Sequence, residues 1–286
     1  MAKLRLSDKR AKWVAQFQPK KLRGGVLSHS VSIEARMTAK LHRAIDTMAK
    51  ETERAVKELF EADNYAGEYG MDANIGSQAR IVINALTDRF TKMFSGIASP
   101  IAETMIDEVD KNGAATLKSS LVDVAGHMQF STDILTGELR ETLTAATNEA
   151  ANLIKRVPAQ YLDNIGSSIY RAISTGNGLA DIYPVLDKQK IKVKNWTKNV
   201  SADQTRKAYN GLQAGRMDAL GLNTYEWVHS GGSNHPNEYH VNELNGNVYS
   251  LEDPPIIDAK TGTRGKPGDW YNCRCRMRVV LKFDDE

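Results

Sequence analysis

The strongest constraint on the fold is a two-residue alternation near the C-terminus. From Cys273 onward, one side of the chain carries apolar or sulfur side chains at every second position: Cys273, Cys275, Met277, Val279, Leu281 and Phe283. The other side carries Arg274, Arg276, Arg278 and Lys282, with Val280 as the only apolar interruption. Because successive side chains of a strand point to opposite faces, this pattern predicts a half-buried strand with a basic outer face.

The first half of the chain shows helical periodicity instead. Apolar residues recur at helical spacing in three stretches: Leu41, Ile45, Met48, Val56 and Leu59; Ala79, Val82, Leu86, Phe90 and Met93; Leu135, Leu139, Leu143, Ala146, Ala150 and Leu153. Such stripes bury themselves against neighbouring helices of the same chain or against partner subunits. The sequence therefore predicts an elongated, mostly helical N-terminal module and leaves open what covers it.

Beyond residue 151 the pattern predicts a small α+β domain. Pro158 suits the first turn of a helix, which ends in the glycine-containing turn at 174–178. A shorter helix is expected to stop at Pro184, and the Ser201–Gln204 capping box to open another that Gly221 closes. A strand at 225–229, an Asn245–Gly246 hairpin with positive φ at both residues and the strand at 275–283 complete a short antiparallel sheet. The predicted fold class is thus α+β, with a basic arm at 1–30, a helical docking module at 31–151 and the α+β domain at 152–286.

Basic residues are concentrated in three places. The first 23 residues contain one acidic side chain, Asp8, and eight basic ones. The basic residues are Lys3, Arg5, Lys9, Arg10, Lys12, Lys20, Lys21 and Arg23. A second group, with Lys190, Lys192 and Lys194, surrounds Trp196 in a segment expected to be a loop, and the third is the arginine face of the last strand. Basic side chains interleaved with an aromatic residue can bind a nucleic-acid backbone, although solvated segments have the same composition.

No membrane or secretory segment is expected. The sequence has no run of 18 apolar residues and no apolar core of a signal peptide near the N-terminus. Cys273 and Cys275 are the only cysteines, and a single intervening residue disfavours a mutual disulfide. A protein made and kept in a reducing cytoplasm is the expectation.

His229, His235, His240, Cys273 and Cys275 are candidate zinc ligands, because zinc prefers imidazole and thiolate. The C-x-C and H-x₄-H spacings match no standard finger, so the alternative is that both cysteines pack as small apolar residues in the strand. A metal-dependent nuclease would need a convergent carboxylate, and the nearest in sequence are Glu238, Glu243, Glu252 and Asp253. No phosphate loop, nucleophile elbow or HExxH motif occurs. The sequence predicts no enzyme and no cofactor, with structural zinc as the alternative.

Several pieces of the C-terminal region together resemble the phage Mu F-like minor head protein family, in its head morphogenesis domain. They are, in order, the proline-initiated helix from VPAQYLDNIG, the helix ending at Gly221, the strand with Trp227, the segment HVNELNG and the final NCRC. The matching motif residues are His240, Asn245, Gly246, Cys273, Arg274 and Cys275. The chain departs from the family at Gln204–Thr205–Arg206, where an Arg-Thr-Glu sequence is frequent.

The resemblance implies a minor capsid protein of a tailed bacteriophage, located in the virion inside the capsid near the portal. Its implied partners are the portal protein, the major capsid or scaffold proteins and packaged double-stranded DNA, without a membrane in the assembled head. It also implies oligomerisation through the portal vertex and a role in head assembly, DNA packaging or DNA ejection. A metal-dependent nuclease or toxin-like effector on the same domain is the alternative.

Overall fold

A computed structural model describes residues 23–69, 75–125, 131–134, 136–231 and 236–281. Within these residues, helices occupy most of the positions up to 219, and the strands of two small sheets dominate from residue 224 onward. The helices are α1 (Val31–Tyr69), α2 (Ile75–Ala125), α3 (Gly137–Lys155), α4 (Val157–Thr175) and α5 (Leu179–Ala219). The predicted α+β class, with a helical first part and a small antiparallel sheet at the C-terminus, is confirmed.

The apolar stripes are buried largely as predicted. Along α1, Leu41, Ile45, Met48, Val56 and Leu59 are all less than 5% exposed. In α3 the buried face is rotated from the predicted stripe: Leu139 and Ala150 are buried, Leu143 is half-buried, and Ile154 is buried instead of Leu153. The α4 helix begins with Pro158 in its first turn and ends at Gly176, whose φ of 74° is the left-handed conformation expected there.

The prediction for residues 179–219 was wrong in three respects. Pro184 does not end a helix, residues 188–198 do not form a loop, and Ser201 does not begin a new helix, since all lie within α5. Pro184 is the sixth residue of α5, so the helix continues through it although one i→i−4 hydrogen bond is lost. The Ser201 hydroxyl donates to the Thr197 carbonyl within the helix, so it does not act as an N-cap. Only the C-terminal end, with Gly221 at φ 72°, follows the prediction.

The main sheet has four antiparallel strands in the order β1-β6-β2-β3. They are β1 (Arg23–Val26), β2 (Thr224–Val228), β3 (Val248–Ser250) and β6 (Arg276–Val280). Trp227 pairs with Met277 and Tyr225 with Val279 across the two central strands, and all four side chains are fully buried. A separate two-stranded sheet joins β4 (Ile256–Asp258) to β5 (Thr263–Arg264). The alternation predicted from Cys273 to Leu281 is confirmed, and Phe283 lies outside the described residues.

The segment before the Asn-Gly turn is not a strand. Residues His240–Leu244 form a single turn of π-helix. Asn245 has φ −63° and ψ 129°, while Gly246 has φ 83°, so positive φ occurs at the glycine alone. These angles define a type II turn, not the type I′ turn that the dipeptide suggested. His240, the first residue of the π-helix, is buried in the domain interior.

The chain forms two compact units whose boundaries differ from the predicted domains. One unit comprises residues 23–33, 105–146 and 202–281 of the described chain, and the other comprises 34–104 and 147–201. The predicted division at residue 151 therefore does not follow the packing: β1, the end of α2 and most of α3 belong with the sheet. Residues 23–26 also belong to the sheet and not to an arm. None of the helices in the described part combines the length and apolar content that crossing a bilayer requires.

Candidate metal centre

A buried cluster is formed by His240, Cys273 and Cys275. Their ligand atoms all lie within 4.8 Å of one another. The Nδ1 of His240 is 3.6 Å from the sulfur of Cys273 and 3.8 Å from that of Cys275. The three residues are 2%, 7% and 3% exposed, respectively. The fold thus brings together a histidine and two cysteines that lie 33 and 35 residues apart in the sequence, and this group could hold a metal ion.

Three different elements supply and hold this cluster. His240 opens the π-helix, and the two cysteines lie just before β6. The indole of Trp227 in β2 packs edge-on against the His240 ring, with centroids 5.2 Å apart. The Trp227 indole N–H has no hydrogen-bond partner in normal geometry. Its interaction with Cys275 nevertheless lowers the pKa of that thiol, against larger effects that raise it. A buried donor directed at a sulfur atom is the environment expected around a metal-bound thiolate.

The hydrogen bonds of His240 fix its tautomer. Its Nε2 lies 2.9 Å from the carbonyl oxygen of Ile257. Because a carbonyl oxygen only accepts, Nε2 carries the proton of the neutral ring, and in that form the Nδ1 lone pair faces the two sulfur atoms. Burial acts to lower the pKa of His240, but hydrogen bonds to Cys273 and to the Ile257 carbonyl outweigh it and raise the pKa. An imidazole whose second nitrogen is held by a backbone carbonyl is the usual arrangement of a metal-ligating histidine.

The two thiols are strongly inequivalent. A hydrogen bond from Cys275 lowers the pKa of Cys273 to about 4, against the opposing effect of burial. His240 and the backbone N–H groups of Cys275 and Gly268 contribute in the same direction. The neighbouring Cys273 sulfur and burial raise the pKa of Cys275. The two thiols therefore titrate as a coupled pair, and the lowered pKa of Cys273 favours one thiolate within the pair.

The loop that carries the cysteines is held by α5. Asn272 has a φ of 55°, which is uncommon for a residue other than glycine. Its backbone N–H donates to the Asp203 carboxylate at 2.8 Å, and Asp203 also pairs with Lys207. Gly268 lies so close to the Asn210 side chain that a Cβ would not fit. Together these contacts fix the turn from which Cys273 extends.

His229 lies beside the cluster. Its Nδ1 is 3.7 Å from the Cys275 sulfur, and its backbone N–H donates to the Asn245 Oδ1 at 2.8 Å. His235 lies outside the described residues, so its predicted place in a metal site is not addressed by the structure.

Sequence reasoning missed the Ile257 carbonyl, Trp227 and Asp203 as parts of the site, and no local sequence signal identifies them, because each acts through tertiary contacts.

The basic candidates near the sheet are engaged in ion pairs or hydrogen bonds. Lys3, Arg5, Lys9, Arg10, Lys12, Lys20 and Lys21 fall outside the described residues. Arg23 and Arg278 both pair with the buried carboxylate of Glu226, at 3.2 and 3.3 Å. Arg276 donates to the Ser28 hydroxyl, and Arg274 is exposed. The predicted basic outer face is therefore partly neutralised by Glu226, a residue of the neighbouring strand β2.

The second basic group lies on α5. Lys194 and Lys190 pair with Asp46 of α1, at 2.6 and 3.4 Å. Lys192 is exposed and Trp196 is half-buried. The predicted basic loop is thus a helix, with two of its lysines engaged by a carboxylate that sequence reasoning did not consider.

A protein from Haemophilus influenzae, described only as uncharacterized, is similar to this chain, with 22% identity over 254 residues. The alignment takes in 86% of this chain and 53% of that protein, so the chain spans about half the length of the curated relative it matches. No family model matches the chain. A search of solved structures also gave no match. The resemblance to Mu F-like minor head proteins stays a prediction.

Proposed function

We propose that this chain is a minor head protein of a tailed bacteriophage, whose C-terminal domain is stabilised by a structural zinc ion. The observation that carries the proposal is the convergence of the motif residues. His240, Asn245, Cys273 and Cys275 carry the resemblance to the Mu F-like family, which rests on their order in the sequence alone. In the fold, His240, Cys273 and Cys275 form one buried cluster, and Asn245 accepts a hydrogen bond from His229 beside it, whereas the motif residue Arg274 is exposed. A scattered chance resemblance would not be expected to converge in this way.

Two separations within the cluster match those around a tetrahedral zinc ion. With Zn–S near 2.3 Å and Zn–N near 2.1 Å, tetrahedral geometry separates a sulfur from a nitrogen by roughly 3.6 Å. The two separations at His240 Nδ1 are 3.6 and 3.8 Å. Bound zinc would supply cross-linking of the π-helix to the β6 strand, and His240, Cys273 and Cys275 would hold it. The lowered pKa of Cys273 reduces the cost of forming one of the thiolates that zinc requires.

The nuclease alternative receives less support. Among the residues that the structure describes, the metal-ligating group contains no carboxylate. The carboxylates considered for general-base catalysis, Glu238, Glu243, Glu252 and Asp253, are all exposed, and Asp253 pairs with Arg264. A buried thiolate-rich site without an adjacent base fits a structural role better than hydrolysis.

In this proposal the protein resides in the virion, inside the capsid near the portal. Its partners are the portal protein and the major capsid or scaffold proteins, with packaged double-stranded DNA as a further ligand of residues 1–22. It oligomerises through the symmetry of the portal vertex and acts in head assembly, DNA packaging or DNA ejection.

The test is co-expression of the full chain with the portal and major capsid proteins of the same genome, followed by gradient sedimentation. The chain is expected to sediment with portal rings and assembled heads, and purified protein to contain close to one zinc per chain by elemental analysis. Sedimentation of the chain as free protein, away from both portal rings and heads, would overturn the head assignment. A plasmid-nicking assay with Zn²⁺, Mg²⁺ and Mn²⁺ covers the enzymatic alternative, for which cleavage lost in Cys273→Ser would be decisive.

A further inference from the structure

We infer that His229 is the fourth protein ligand of this site, which completes a closed Cys₂His₂ centre. The inference rests on the proposed zinc site and adds a ligand that the cluster of three lacks. His229 belongs to no recognised motif of the chain, and its spacing to the other ligands follows no standard finger. It would make the centre coordinatively saturated and therefore structural.

The position of His229 fits one edge of a tetrahedron. Its Nδ1 is 3.7 Å from the Cys275 sulfur, close to the separations that His240 makes with the two cysteines. His229 does not belong to the group whose ligand atoms are all within 4.8 Å of one another. The ring must therefore turn toward the other ligands when the ion binds, while its backbone stays in place.

The backbone of His229 is anchored by the Asn-Gly turn. The Asn245 Oδ1 accepts the His229 N–H at 2.8 Å, and the Gly246 N–H donates to the Trp227 carbonyl at 2.8 Å. The first hydrogen bond lies one residue beyond the end of β2, and the second is made by Trp227 within β2. The Asn-Gly dipeptide therefore reverses the chain direction and also holds His229 beside Cys275. Asn245 is thus a positioning residue that acts through His229.

The burial of the other three ligands favours a protein group over water at the fourth position. His240, Cys273 and Cys275 are each more than nine-tenths buried, whereas His229 is half-buried at the edge of the cluster. His229, whose Nδ1 is 3.7 Å from the Cys275 sulfur, is a protein group within reach of that position. Catalytic zinc sites, by contrast, keep this position open to solvent.

The experiment uses the full chain loaded with Co²⁺, whose visible absorption reports the number and type of ligands. Wild-type protein is expected to give the intense bands of a tetrahedral two-sulfur, two-nitrogen site. His229→Ala should change these bands and weaken Zn²⁺ binding by about 100-fold or more, and Asn245→Ala should weaken it by about 10-fold. His42→Ala is the matched control, since it removes a histidine of the other compact unit, and its spectrum and affinity should equal those of the wild type.

A measurement on the unmutated protein tests the ligand assignment without the risk that a variant misfolds. X-ray absorption of the zinc-loaded wild type should fit two sulfur and two imidazole nitrogen scatterers. Two sulfurs with one imidazole and one water oxygen would overturn the assignment of His229 but leave the zinc site intact. Altered bands in His235→Ala with unaltered bands in His229→Ala would transfer the role to His235. Absence of stoichiometric Co²⁺ or Zn²⁺ binding by the wild type would instead overturn the metal site itself.

Discussion

The Nδ1 of His240 lies 3.6 Å from the sulfur of Cys273, although 33 residues separate them in the chain. The contact joins the π-helix before β3 to the loop before β6, two segments that strand pairing alone would not bring together. Both groups are buried, and each shifts the ionisation of the other toward the charged form. When two such buried side chains are charged, their contact stabilises the domain only if the charges form an ion pair or bind a shared cation.

Metal removal should destabilise the unit that contains the sheet. Ligand binding to the native state alone contributes about 4 kcal/mol when the free ligand is roughly 1000 times its dissociation constant. Treating zinc-loaded protein with a strong chelator is therefore expected to lower its melting temperature by about 8 °C or more. Differential scanning calorimetry, with zinc measured in the same samples, provides the readout.

The control for chelation is the double variant Cys273→Ser/Cys275→Ser. It should contain no zinc, melt lower than the wild type and show no further change with chelator. If the wild type is equally insensitive to chelator while the double variant still melts lower, the cysteines act by apolar packing and the metal proposal is wrong.

Glu226 should be a stability residue of the sheet. Its carboxylate is 8% exposed and pairs with Arg23 of β1 and Arg278 of β6. Glu226→Gln removes the charge from both pairs and is expected to cost about 1–3 kcal/mol in the free energy of unfolding. Glu252→Gln, at an exposed glutamate of the same unit, should change it by less than about 0.5 kcal/mol. Equal urea-unfolding midpoints for the two variants would show that the Glu226 pairs contribute nothing.

Periodicity was enough to predict the parts of the fold that depend on one face being apolar. The α1 stripe, the Pro158 helix start, the Gly176 and Gly221 helix ends and the alternation before and within β6 all follow from local physics. The length of α5 could not be predicted in this way, because Pro184 and Ser201 are local signals that tertiary packing overrides. The two-unit division depends on which distant segments pack together, and no window of sequence contains that information.

The candidate site was only partly predictable for a related reason. Residue chemistry identified His229, His240, Cys273 and Cys275 as metal-ligand types, but spacing rules derived from standard fingers pointed away from zinc. His240 lies in the π-helix, and its approach to the two cysteines depends on tertiary contacts that no spacing rule contains. The ion pairs of Arg278 and Lys194 were missed because their partners, Glu226 and Asp46, lie on other elements.

Asp46 should show a depressed pKa and a small acid sensitivity. Hydrogen bonding to Lys194, together with Lys190, holds the pKa of this carboxyl below its usual value of 3.8. A depressed folded-state pKa contributes stability above the unfolded value, and this stability is lost as the pH falls through the folded value. Because Asp46 is 46% exposed, Asp46→Asn should cost less than about 1 kcal/mol at neutral pH. The cost should vanish at a pH below the folded value. Carbon-detected NMR titration of the carboxyl group checks the direction, and a midpoint at or above 3.8 would contradict the ion pair.

Two N-terminal truncations should separate the basic arm from the sheet. Deletion of residues 1–22 removes seven basic side chains but leaves β1, so the melting temperature should stay unchanged while binding to duplex DNA weakens. The salt dependence of binding should also become less steep, because fewer phosphate contacts release fewer counterions. Deletion of residues 1–26 additionally removes β1 and its pairing with β6, and should lower the melting temperature. Identical DNA affinity and salt slope for the wild type and the shorter deletion would show that the arm is no tether.

Charge substitutions on α3 should distinguish packing from docking. Leu139 is 2% exposed and packs against Gly215 of α5, where an added Cβ would lie 2.8 Å from its Cδ2. Leu139→Glu therefore buries an unpaired carboxylate and should cost several kcal/mol, which unfolds the unit that also holds the sheet. Leu143 is half-buried one turn away, so Leu143→Glu should leave the fold intact. If the α3 stripe contacts the portal, Leu143→Glu will be folded by circular dichroism yet absent from portal rings after sedimentation. A folded Leu143→Glu protein that still co-sediments would exclude this stripe as the docking surface, and an unchanged melting temperature for Leu139→Glu would contradict the packing against Gly215.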